Sequence, residues 1–197
     1  MRKNTNKLKN LVLYIIKRFN NDNLTPTKLQ KLLYFCDFEH YHRKGIPITN
    51  YLYRKNYHGP TIMELPDILE ELKADSKIKF KESKTFYNNP KTNFQLLDSS
   101  IESEKVFSDS ELLVIDRINN EYLRLKPNEI EAISHEDVPY LATEILGQVI
   151  NYELVHYRDD NACDDDEAID EDAKKYFTSS EFQSIIRKVS LKLSPSS

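Results

Sequence analysis

The sequence predicts an α+β protein, mainly α: a single helical domain with a small antiparallel β-sheet or hairpin. Three observations predict it. Apolar residues recur at helical spacing over 8–19 and again over 29–41. Ile78-Lys79-Phe80-Lys81 alternates with the two-residue period of a half-buried strand. The stretch YLYRKNYHGP, Tyr51 to Pro60, sets tyrosines at alternate or near-alternate positions and ends in a rigid turn.

Leu8, Leu11, Val12, Ile15, Ile16 and Phe19 define an amphipathic helix over 5–19, which Asn20-Asn21-Asp22-Asn23 ends. Thr25-Pro26 starts the second helix, with threonine as N-cap and proline at the first helical position. That helix runs to about Lys44, with Gly45 as C-cap. Leu29, Leu32, Leu33 and Cys36 form one apolar side, which Tyr34, Phe35, Phe38 and Tyr41 widen, so the helix is central to the core.

A strand over 51–57 places Tyr51 and Tyr53 on one face and Leu52 and Arg54 on the other. Gly59 supplies a backbone conformation closed to other residues and Pro60 fixes the next φ, so His58-Gly59-Pro60 reads as a strand-to-helix corner. Ile62, Leu65, Leu69 and Leu72 give the third helix, with Pro66 near its start. Residues 77–86 and 93–97 are strands about the turn Asn88-Asn89-Pro90, and the sheet is assembled from 51–57, 77–86 and 93–97. Ser108-Asp-Ser-Glu111 is a capping box for a fourth helix through Leu112, Ile115, Ile118 and Tyr122, and a short fifth helix spans Pro127 to Ser134. Residues 150–157 fit either strand or loop.

The domain organisation expected is a domain over 1–158, an acidic linker over 159–177 and a C-terminal helix over 178–197. That last helix opens on the capping box Thr178-Ser-Ser-Glu181 and carries Phe182, Ile185, Ile186, Val189 and Leu193. A chain of 197 residues buries roughly 70% of its unfolded surface, enough for a core without disulfide or metal. The two cysteines, Cys36 and Cys163, lie far apart in unlike contexts, which together with the lack of a leader suggests reduced thiols in the cytoplasm. No apolar run approaches the ~20 residues that span a bilayer.

The net charge of −4 hides an asymmetry: residues 1–58 hold twelve Lys or Arg against three acids, and 159–172 hold nine acids and no base. A solvated surface is the plainest account of the basic half, a protein partner the next, and nucleic acid the last.

Little in the chain points to catalysis or to a cofactor. Asp37, Glu39, His40 and His42 crowd one helix, but the two histidines are two apart and diverge, unlike a metal pair on one face. The acidic run lacks calcium-loop spacing. With three glycines in all, a phosphate-cradling loop is absent. His135-Glu136-Asp137 is either an acid–base cluster or a cap that turns the chain towards Pro139, and no Ser or Cys stands beside it in a nucleophile motif. His58 either satisfies backbone groups at its turn or joins Tyr57 and Arg54 in an exposed anchor patch of the residue types that dominate interfaces.

Leu29-Gln30-Lys31-Leu32-Leu33-Tyr34-Phe35, then Gly45, then Tyr57-His58-Gly59-Pro60, then His135 and Pro139 resemble the Panacea-domain family, also described as SocA-like or phage-associated GepA-like, over about residues 10–157. The resemblance implies an antitoxin that silences a cognate protein toxin by direct binding, without cofactor or metal. At least one type instead delivers its toxin to a protease, which makes a proteolytic adaptor the second reading, and an orphan enzyme built on the His135 cluster is a third. Family members often carry Trp after the His–Pro proline; here Tyr140 stands there. The residues expected to meet the partner are Tyr53, Arg54, Tyr57, His58, Gly59, Pro60, His135 and Tyr140. There is no spare length for an added DNA-binding domain, so nucleic acid is not an expected partner of this polypeptide alone.

Overall fold

A computed structural model describes residues 2–19, 24–84, 90–97 and 102–158. The expected acidic linker, the terminal helix and the tip of the hairpin at 85–89 lie outside the described residues.

The elements follow in the order α1 (Thr5–Phe19), α2 (Pro26–Lys44), β1 (Tyr53–Arg54), β2 (Thr61–Ile62), α3 (Leu65–Ala74), β3 (Ile78–Lys84), β4 (Pro90–Leu96), a 3-10 turn (Ser103–Val106), α4 (Asp109–Tyr122), α5 (Pro127–Glu136), α6 (Val138–Ala142) and a second 3-10 turn (Tyr152–Tyr157). The expected mainly helical α+β class is what the fold has. Thr25 caps α2 by accepting from Lys28 N, Gly45 ends it at φ +68°, and Ser108 and Glu111 complete their reciprocal box at the start of α4.

The centre of the fold is α2. Leu29, Leu32, Leu33, Tyr34, Cys36 and Phe38 have no exposed surface, because α1, α4, α5 and β2 pack around the helix. A strand or helix with a single apolar stripe could not occupy that position without burying its polar side. Among the described residues, no helix is long and apolar enough to cross a membrane.

Two expectations about the β structure are corrected. The tyrosine segment does not share a sheet with 77–86 and 93–97. β1 pairs with β2, in register Tyr53 to Ile62 and Arg54 to Thr61, while β3 and β4 form a separate hairpin. The His-Gly-Pro corner is therefore the tip of a β-hairpin, with the return strand β2 placed before α3. Gly59 makes the reversal possible: at φ +86° its N–H donates to Asn56 O at 2.9 Å, a backbone state that a Cβ opposes. The 150–157 segment, open between strand and loop, is largely the second 3-10 turn.

Alternation from Tyr51 into β1 follows the expected pattern. Tyr51 and Tyr53 are buried and Leu52 and Arg54 are exposed. Tyr53 enters a ring cluster with Tyr34, Phe38 and Tyr152, at centroid distances of 5.5, 5.6 and 6.3 Å.

Candidate functional site: the hairpin tip and its base

The hairpin tip rests on a base of side chains from α2, α5 and α6. Lys31 lies almost wholly inside the protein and its Nζ donates to Pro60 O at 3.1 Å. It shares a face with Tyr34, Phe35 and Phe38 at i+3, i+4 and i+7, which is why it points inward. Burial pulls its ammonium down to about 8, with Glu131 acting in the other direction. Its neighbour Gln30 clamps the return strand, donating to Ile62 O at 3.3 Å and accepting from Ile62 N at 3.0 Å.

Gly59 lies so close to this base that a side chain there would force its neighbours to shift. A Cβ there would stand 2.7 Å from Ser134 Oγ and 2.8 Å from Lys31 Nζ. The α2 lysine, the hairpin glycine and the α5 serine thus meet at one point. Ser134 in turn donates to Glu131 O at 2.7 Å.

Above the base, Tyr140 ties α6 to the hairpin. Its hydroxyl donates to Asn56 O at 2.7 Å, its ring stacks on His135 at 4.8 Å and 7° between planes, and Lys55 Nζ lies 4.5 Å over the ring. The same ammonium donates to Tyr140 O and Thr143 O, at 3.1 and 2.6 Å. Burial holds His135 below the usual histidine range; Glu131 opposes the shift, and the nearby Lys31, His58 and Lys55 act with burial. The stacked His135 is therefore favoured as the neutral ring, the form that suits a packed aromatic face.

The eight expected partner residues divide into a presented set and a supporting set. Arg54, Tyr57 and His58 are exposed, Tyr57 by 77%. Tyr53, Gly59, Pro60 and Tyr140 are buried, and His135 is half-buried. Tyr53, expected among the partner residues, faces the core, and its hydroxyl is bonded to Asp37. His58 also resolves. Asn56, not His58, closes the turn backbone, and the His58 imidazole lies at the surface 3.1 Å from Glu131. Among the described residues, no group of three acids, histidines or cysteines could hold a metal ion.

Lys31, Lys55 and Asp37 are parts of this assembly that are not among the eight expected residues. Lysines read as surface residues by default, yet the face shared by Lys31 with three aromatic residues was a usable signal. Asp37 carried no such sign, because its partners Thr49 and Tyr53 come from a segment whose position only the fold supplies.

A sequence-family model described as antitoxin SocA-like, Panacea domain, matches residues 29–139. Lys31, the hairpin tip and the Ser134-His135 pair all fall within that range. No curated protein and no solved structure matches the chain.

Proposed function

Because this chain belongs to the antitoxin SocA-like, Panacea-domain family, we propose that it neutralises a cognate protein toxin by binding it directly, with the β1–β2 hairpin tip as part of the contact surface. The observation that carries the reading is the division at the tip. Arg54, Tyr57 and His58 stand in solvent, while everything beneath them is locked by the buried Lys31, Gly59 and Tyr140. A rigid base that displays tyrosine and arginine suits protein recognition, because little conformational freedom is lost on binding. Membership of an antitoxin-like family favours a role without catalysis, and the packed surroundings of Lys31, Ser134 and His135 agree with that.

The test is co-expression with the adjoining reading frame. A product toxic alone and tolerated with this protein supports the reading, provided the two co-purify. Rescue that disappears in a host lacking its ATP-dependent proteases replaces neutralisation by binding with delivery for degradation. Failure to rescue any adjoining product removes the reading.

A further inference from the structure

The loop after α6 breaks the usual chemistry of exposed turns, which favour small and polar residues. Ile145 is 68% exposed and Leu146 beside it 42%. The turn is nevertheless firmly built. Gln148 N donates to Ile145 O at 3.1 Å and the Gln148 side chain accepts from Ile145 N at 3.2 Å. Gly147, at φ +82°, completes the reversal. Gly147 N donates to Lys55 O at 2.8 Å and Lys55 N to Gln148 O at 2.9 Å, while Arg54 Nη1 reaches Gly147 O at 2.7 Å. The turn is thereby fastened along the hairpin strand that leads to Tyr57. Leu141, on α6 next to the anchoring Tyr140, is also exposed.

We propose that the Ile145–Leu146 turn, with Tyr57 and Leu141, is the apolar centre of the surface that holds the protein toxin; the proposal rests on the antitoxin reading. The four side chains expose on the order of 400 Å² of mostly apolar surface. That is about half of the ~800 Å² each partner contributes to a standard heteromeric interface, and close to its apolar share. It falls short of what an obligate dimer of this chain needs, since each subunit would bury roughly 1,000 Å² or more at about 65% apolar, on the order of 650 Å² of apolar surface. The partner that fits is a folded protein with an apolar concavity for Ile145 and Tyr57 and a carboxylate facing the exposed Arg54. Fixing the turn to Lys55 in advance removes most of the ordering cost on association.

Calorimetric titration against the purified product of the adjoining reading frame, the one whose toxicity this protein relieves, tests the proposal. Ile145→Glu should weaken binding at least tenfold, with the thermal midpoint kept. Leu113→Glu, on α4 at a position 67% exposed, should bind as the original does. If Ile145→Glu does not fold, the double variant Ile145→Ala, Leu146→Ala adds no charge and must still weaken binding tenfold. Should the original protein itself fail to bind, the reading of neutralisation by direct binding falls and takes this surface with it. Should the original bind and the turn variants bind equally well, only the surface assignment falls. Light scattering that finds a dimer of the original and a monomer of Ile145→Glu assigns the patch to a second copy, and overturns it as well.

Discussion

Tyr53 donates its hydroxyl proton to Asp37 Oδ2 at 2.8 Å, and neither residue meets solvent. The same carboxylate accepts from Thr49 N at 2.7 Å and Thr49 Oγ1 at 2.5 Å. One buried aspartate on α2 therefore holds both the approach to β1 and the first residue of β1. It sets the base from which the hairpin tip projects.

Burial pushes Asp37 up to about 6 from the ordinary aspartate value of 3.8, although its hydrogen bonds act to lower it. Folded Asp37 keeps its proton to about pH 6, whereas unfolded Asp37 has lost it by about pH 4. The folded chain binds the extra proton in that window, so this residue's contribution to stability falls as pH rises from 4 to 6 and is level above. Asp37→Asn cannot ionise and should lack that part of the slope, on the order of 3 kcal/mol across the window. Urea midpoints of both proteins at pH 4, 5, 6 and 7 check it; parallel curves would refute it.

Lys31 gives the opposite trend. Its folded value of about 8 lies below the ordinary 10.5. Between those values the unfolded chain holds the proton that the folded chain has released, so stability rises with pH in that range. Lys31→Met should lose this rise, and the original should gain on the variant between pH 8 and 10. Lys28 is shifted in the same direction by burial, but it is present in both proteins and drops out of the difference. A constant difference in urea midpoint over that range would place the Lys31 ammonium in solvent.

Gly59→Ala combines a strained backbone with contacts at 2.7 and 2.8 Å. It should cost about 1–3 kcal/mol of stability. Combining it with Ser134→Ala removes one of the two colliding groups, so the double variant should lose less than the sum of the singles. Strict additivity in denaturant unfolding would show that the two do not meet.

Leu33 has no exposed surface and lies on the central helix. Leu33→Ala should destabilise by roughly 2–5 kcal/mol, as core truncations do. An unchanged melting temperature would deny α2 its central place.

Tyr57 and Tyr53 should behave as opposites. Tyr57→Ala, at an exposed position, should melt as the original does and bind the toxin more weakly by over ~1 kcal/mol, whereas Arg54→Ala should weaken binding and also lose a little stability with its bond to Gly147 O. Tyr53→Ala should lower the melting temperature sharply, because it opens a cavity among Tyr34, Phe38 and Tyr152 and leaves Asp37 short of a donor. A Tyr57→Ala protein that binds normally would move the contact surface away from the tip.

Wherever a few neighbouring residues decide the outcome, the sequence alone determined this protein's structure. Thr25-Pro26 and Gly45 bound α2 because capping and proline geometry are local. Ser108 and Glu111 start α4 for the same reason, and the period-two burial of Tyr51 and Tyr53 follows from strand geometry. Gly59 announced a turn, and its positive φ is a property of that residue type. The tertiary structure decided which strands pair. Tyr53 meets Ile62 rather than the 77–97 hairpin, a choice between partners at different separations that local pattern does not encode. It also decided which tyrosines face inward beyond the strand, and that Lys31, Gly59 and Ser134 meet at one point from three segments far apart in the chain. The exposed Ile145 and Leu146 belong to the same class: an apolar pair in sequence looks like core, and only the hydrogen bonds of Lys55 to residues 147 and 148 show that the turn holds it out in water.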